Sequence, residues 1–144
     1  MSPRCSKLSP HGDDLDRALI RFKEWKPIGD EGIFWFRVHV HNMMEGIDSP
    51  LLNRAAEKKQ TFKARTKWVQ KNLVGLRELA RNPIENRVEL RLDRYRSGKS
   101  EAFQRLACLI ELNRLHDAYE ESGEDWSKVK SGQPVYLDAS CNGY

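Results

Sequence analysis

The residue in this sequence best placed to do chemistry is an aspartate at the end of a short apolar run. Asp138 closes Pro134-Val135-Tyr136-Leu137-Asp138, and Ala139, Ser140, Cys141, Asn142 and Gly143 follow. The run reads as a strand. A strand holds such a carboxylate rigidly, and the small residues behind it let phosphates and carbonyl oxygens approach an ion. Aspartate, with an ordinary pKa of about 3.9, is ionised at neutral pH and suits Mg²⁺. The plainer reading is a strand-end Asp that caps the following turn.

Two further groups carry reactive types. His39 and His41 stand two apart. On a strand they would share a face and could bind a metal, although a structural role is the commoner use of such a pair. Lys58, Lys59, Lys63, Arg65 and Lys67 surround Phe62 and Trp68. Such a cluster could track a phosphate backbone with aromatic stacking. Its plainer reading is a solvated helix face.

The elements that must position these groups can be read along the chain. Residues 1–12 are irregular, punctuated by Pro3, Pro10 and Gly12. Asp13 or Asp14 caps a helix to about Trp25, with Leu15, Leu19 and Phe22 on one face. The apolar segment Ile33 to His41 alternates and is rich in aromatic and β-branched residues, which predicts a strand. Ser49-Pro50 reads as a helix N-cap with Pro at the first helical position. From Thr61 to Ala80, Phe62, Val69, Leu73, Leu76 and Ala80 recur at helical steps. Asn82-Pro83-Ile84-Glu85 is a further start signal, and Arg96 to Lys99 a break. Ser100 caps a helix with Phe103, Leu106, Ala107, Ile110 and Leu115 on one stripe, ending near Tyr119. Residues 120–133 read as a polar loop.

Composition sets the outer limits. The 144 residues suit one domain with a real core. Net charge is +4, a mild lean toward polyanions. The three cysteines, Cys5, Cys108 and Cys141, contain no CxxC pair, so neither a disulfide framework nor a structural zinc site is expected. No apolar run approaches the roughly 20 residues that span a bilayer, so no membrane association is expected. The start shows no secretory signal.

The terminal segment resembles the first catalytic motif of single-subunit, bacteriophage-type RNA polymerases, a family shared by phages and mitochondria. Asp138, Ser140, Cys141, Asn142 and Gly143 match it. Upstream, Ser9-Pro10-His11-Gly12-Asp13-Asp14 is similar to the family's Pro-Gln-Gly-Asn-Asp stretch. Lys26-Pro27-Ile28-Gly29 with Glu31-Gly32 is similar to its Lys-Pro-Ile-Gly passage. Trp35, Arg37, His39 and Asn42 resemble its Trp-Leu-Lys-Ile-His-x-x-Asn run, and Gly46-Ile47-Asp48 the turn after it. Phe103 to Asn113 resembles the helix before the catalytic strand, so the likeness runs over about residues 9–144.

The resemblance implies a DNA-directed RNA polymerase working by two-metal nucleotidyl transfer. Asp138 would be the catalytic carboxylate and a Mg²⁺ ligand, and the Ala139 carbonyl would complete one coordination sphere. Arg17 would lie where a basic residue can face nucleic acid. DNA template, nascent RNA and NTPs would be the partners. Ala139 stands where the family has glycine, and Ser49 where phage enzymes have a basic residue. The family's nucleotide-binding helix and second catalytic Asp would fall beyond Tyr144. Asp13, Asp14, Asp48 and Asp93 lack the strand-end setting to replace it.

The expectation is therefore a partial palm-type polymerase fragment, residues 1–144. It is mainly α, with five or six helices over 13–120 and the catalytic strand at 134–138. A lone strand cannot satisfy its own backbone groups, so truncation is expected, with a missing C-terminal polymerase segment as partner. The piece alone is expected to be inactive. A host-cytoplasmic location is expected, with the mitochondrial matrix as alternative. The competing reading is a small basic helical module that binds nucleic acid or protein without catalysis. A third is one half of a split polymerase.

Overall fold

A computed structural model describes residues 26–94 and 101–131. The helix expected over 13–25, the break at 96–99, the Ser100 cap and the strand at 134–138 lie outside the described residues. Among the described residues there are four α-helices. They are α1 (Gly29–Met44), α2 (Phe62–Lys71), α3 (Leu73–Arg81) and α4 (Ala102–Glu121). Two short strands, β1 (Lys26–Pro27) and β2 (Lys130–Ser131), pair antiparallel, Lys26 opposite Ser131 and Pro27 opposite Lys130. The mainly α class is as expected. α1 packs on α2 and α4, and α3 packs on α4.

The segment 33–41 is helix, not strand. Its buried residues explain why. Ile33, Phe36, Val40, Met43 and Met44 are covered on one face, while Val38, His39 and His41 are buried on the others. A helix enclosed nearly all round carries apolar residues at every phase, which imitates the composition of a strand. Tertiary packing overrides β propensity here. The chain enters α1 through Gly29 at φ +65°, a left-handed turn that glycine takes without strain. Just before it, the Ile28 amide donates to the Val129 carbonyl at 2.7 Å. α1 has no side-chain cap; Asp30 and Glu31 in its first turn face the positive end of its dipole.

The next start signals resolve into turns. Ser49 Oγ accepts from the Leu51 amide at 3.1 Å, and the Leu52 amide donates back to the Ser49 carbonyl at 3.1 Å. Ser-Pro here therefore closes a turn rather than opening a helix. Residues 83–91 form linked turns, with Asn86 and Leu90 amides donating four residues back, ended by Arg91 at φ +63°.

The expected helix from Thr61 begins on schedule. Thr61 Oγ1 accepts from the Ala64 amide at 3.0 Å. It does not run unbroken to Ala80. Asn72 interrupts it at φ −105°, ψ 13°, because its side chain is bound on both ends. Asn72 Nδ2 donates to the Trp68 carbonyl at 2.9 Å and Oδ1 accepts from the Asn53 amide at 2.7 Å.

Just past that break, Gly75 lets α3 touch the 49–52 turn. A β-carbon at Gly75 would lie 2.0 Å from the Leu51 carbonyl oxygen and 2.9 Å from its carbon. Both are backbone atoms, so neither can swing aside. Gly75→Ala is expected to destabilise the fold by about 2 kcal/mol, as overpacking does. Urea denaturation checks this; an unchanged midpoint would show that the two segments are not pressed together.

α4 ends within two residues of the expected point, but its stripe is shifted. Ala102, Cys108, Leu109, Leu112 and Leu115 face the core, while Ile110 is 44% exposed. Phe103, Leu106 and Ala107 are half-buried. Two charged residues, Arg105 and Glu111, occupy the buried face and displace the apolar pattern. Residues 120–131 are not a plain polar loop. Asp125 Oδ1 accepts from the Ser127 amide at 3.0 Å and caps a single 3₁₀ turn, Trp126–Lys128, that buries Trp126. The core joins Phe36, Met44, Ile47, Leu76, Leu79, Leu90, Leu109, Leu112 and Leu115, all fully buried.

Candidate functional site

Asp138, Ala139 and Arg17, the residues expected to do the chemistry and contact nucleic acid, lie outside the described residues. Among the described residues no group of three or more His, Cys, Asp or Glu could hold a metal ion. The described part holds the scaffold that precedes the terminal segment, a set of buried polar residues, and one basic cleft.

The motif residues upstream act as scaffold. Trp35 meets Phe62 edge-on at 5.0 Å between centroids. Asn42 Oδ1 accepts from Arg65 Nη1 at 2.7 Å, tying α1 to α2. Arg37 lies over the Trp126 ring, its Cζ 5.6 Å from the centroid. Burial holds its pKa below the ordinary value, with Tyr119 opposing. Gly46 takes φ +79° and its amide donates to the Ala56 carbonyl at 3.3 Å, so that Ile47 reaches the core.

His39 and His41 do not form a metal-binding pair. Two helical residues are about 200° apart, so they point to different sides of α1. His41 meets Trp68 edge-on at 5.4 Å. Burial first, then the Arg65 guanidinium, pull its pKa down to about 4, with Asn42 opposing. Its 3.8 Å approach to Glu45 is therefore a neutral contact at pH 7. His116 on α4 behaves alike. It sits edge-on to Trp126 at 5.2 Å. Burial, then Arg37 and Arg77, lower it to about 4, against Glu120 and Asp117. Cys108 is buried and its thiol is pushed up by burial and then Glu111, so it is no nucleophile.

Two buried charges on α4, Arg105 and Glu111, are matched. Arg105 donates from Nε to the Met43 carbonyl and from Nη1 to the Leu90 carbonyl, each at 2.9 Å. Glu111, fully buried, accepts Arg114 through both oxygens at 2.8 and 2.7 Å and the Ser131 hydroxyl at 2.8 Å. Arg114 also donates to the Lys130 carbonyl at 2.7 Å. Glu111 thus fixes β2 to α4. Arg77 joins α3 to α4 through Asn113, Asp117 and Glu120.

A cleft of about 540 Å³ opens between the 53–60 loop and one face of α2. Arg54, Glu57, Gln60, Lys67, Trp68 and Lys71 are among its lining residues, with His41 at its edge. Trp68 is anchored there, donating Nε1 to the Arg54 carbonyl at 2.7 Å. Of the basic cluster read from the sequence, Arg65 is committed to Asn42, the Gln60 carbonyl and the Phe62 ring. Phe62 is committed to Trp35. The sequence reading missed Arg54 and Lys71. The four-residue recurrence Lys63, Lys67, Lys71 carried a signal for the second; Arg54 reaches the cleft only through the fold of its loop.

Among the described residues no helix is long and apolar enough to cross a membrane. Comparison with known proteins supplies what the described residues do not. A family model described as DNA-dependent RNA polymerase matches residues 26–144. The chain is similar to the mitochondrial DNA-directed RNA polymerase of Mus musculus, 27% identical over 132 residues, 92% of this chain and 9% of that protein. It is likewise similar to chloroplastic DNA-directed RNA polymerase 3B of Nicotiana tabacum, 27% identical over 143 residues, 99% of this chain and 12% of that protein. Mitochondrial DNA-directed RNA polymerase 1 of Arabidopsis thaliana is 27% identical over 134 residues. The chain thus spans 9% to 12% of the length of these relatives. No solved structure matches it.

Proposed function

The chain belongs to the DNA-dependent RNA polymerase family, and from that premise we propose that it is the part of such an enzyme that carries its first metal-binding carboxylate. The match of the family model through residue 144, which takes in the Asp138 motif, is the observation that supports this most. The products would be RNA strands copied from a DNA template with NTPs as substrates. An organellar location, consistent with the mitochondrial alternative, fits the mitochondrial and chloroplastic names of the relatives better than the cytoplasm.

The donor set fits Mg²⁺ in kind. An Asp carboxylate and a backbone carbonyl, from Asp138 and Ala139, are hard oxygen ligands. They are too few to fill an octahedral shell, so water, NTP phosphates and a carboxylate from elsewhere in the polymerase would supply the rest. When bound, Mg²⁺ pairs supply charge stabilisation to nucleotidyl transfer. This chain's own part is to hold Asp138 in place. β2 is locked to α4 by Glu111 and Arg114, which fixes the point from which the chain continues toward Asp138. Ala139 restricts the backbone more than the family's glycine would.

A chimaera tests the reading. Residues 26–144 replace the matching stretch of the mouse mitochondrial polymerase, and templated RNA synthesis is measured. The chimaera is expected to synthesise RNA, and Asp138→Ala within it to lose about a thousandfold, about 4 kcal/mol of transition-state stabilisation. A folded chimaera that makes no RNA, or one indifferent to Asp138→Ala, overturns the assignment. The chain by itself, offering one carboxylate of the pair, is expected to be inactive.

A further inference from the structure

We propose that the cleft between α2 and the 53–60 loop binds a single nucleic-acid strand by its phosphodiester backbone. The proposal does not depend on the role of the Asp138 motif.

Charge is the first argument. Arg54, Lys67 and Lys71 line the cleft against one carboxylate, Glu57. Arg54 and Glu57 approach only to 4.0 Å with both heads largely exposed, a contact worth little and easily exchanged for a phosphate. The second argument is spacing. Lys63, Lys67 and Lys71 recur every four residues, so they stand in one row along α2, with about 6 Å of helix rise between successive members. All three are exposed, and among the described residues none has an ion-pair partner. A single anion would use one of them; a chain of regularly spaced charges uses the row.

The aromatic wall favours a single strand over a duplex. At about 540 Å³ the cleft has the size of a small-ligand site. Trp68 provides an apolar wall held in place by its bond to Arg54 and by His41. A rigid aromatic wall beside a basic row is the combination that single strands favour, irrespective of sequence.

The test is fluorescence anisotropy of a labelled 15-nucleotide oligothymidylate against salt concentration. Contacts from Arg54, Lys63, Lys67 and Lys71 predict a slope of log K on log salt of about −3. Lys67→Gln/Lys71→Gln is expected to bring the slope to about −1.4 and to weaken binding at least tenfold at low salt. Lys128→Gln/Lys130→Gln, the same charge change on exposed residues away from the cleft, is expected to leave both unchanged. Equal loss in the two double variants overturns the cleft as the site. Duplex binding as tight as single-strand binding overturns the choice of ligand. No binding at low salt overturns the proposal as a whole.

Discussion

Acidification from pH 7 to pH 5 is expected to remove about 4 kcal/mol of stability through two histidines alone. His41 and His116 are held at a pKa of about 4 in the fold, against 6.5 for an unburied histidine. Both are therefore neutral in the folded protein at pH 7. As pH falls below 6.5, the unfolded chain takes up protons that the folded chain refuses. Stability is fully present above 6.5 and is lost as pH falls toward 4; below that both states are protonated and the loss stops. With nearly two protons separating the states, the slope near pH 5 is about 2 kcal/mol per pH unit. Domains of this size hold roughly 5–15 kcal/mol in total, so the loss is a large share.

The groups around each ring account for the shifts. His116 faces Arg37 from α1 and Arg77 from α3, with Glu120 and Asp117 on its own helix opposing. His41 faces Arg65 from α2. Protonation would place a cation beside these guanidinia in a buried setting. Urea midpoints at intervals between pH 7.5 and 5 read the slope before the carboxylates titrate. His116→Leu, which keeps the apolar contacts with Trp126, is expected to halve it. A slope that survives this substitution would mean that His116 is solvated in the folded state.

The second large effect lies at Arg105. Arg105→Met is expected to cost about 3 kcal/mol. Replacing a whole buried ion pair with apolar residues is often harmless, because no polar group is left behind. Here the acceptors are main-chain carbonyls and stay in place. The Met43 carbonyl belongs to the last turn of α1, the negative end of its dipole, where a cation is favoured. The Leu90 carbonyl ends the linked turns after α3. One planar guanidinium spans both, so it joins three parts of the chain. Arg105→Lys is expected to fall between, since an ammonium cannot fork across two fixed carbonyls in the same way. Denaturation of the two variants side by side separates charge from geometry. A Met variant as stable as the parent would show that the fork contributes nothing net.

Much of this fold could be read from local signals where local chemistry decides. Thr61 begins α2 because its hydroxyl caps the Ala64 amide, an interaction encoded within four residues. The Gly46 turn and the Lys26-Pro27-Ile28-Gly29 corner are likewise local. The misreadings share one cause. The composition of α1 points to a strand because burial on nearly all sides erases helical phase. The α4 stripe was shifted because Arg105 and Glu111 look solvent-facing by type, yet find partners 62 and 20 residues away. Asn72 breaks the α2–α3 run through Asn53, a contact invisible along the chain. The catalytic reading of Asp138 rests on its motif and the family match. The cleft needed the folded loop to bring Arg54 to the lysine row.

The small sheet has a consequence for the entropy of the chain. Pro27 and Lys130 pair across 103 residues (130 − 27). Closing a loop of that length costs about 4 kcal/mol from the length-dependent term alone. A ladder of two residues offers backbone bonds worth about 1 kcal/mol each. It cannot close the loop unaided. Burial of Trp126 and Val129, at roughly 1.5–3 kcal/mol per large side chain, and the Glu111–Ser131 bond bring the far end home. The strands therefore meet because the core has already gathered their flanks. The sheet records the closure of the chain rather than causing it.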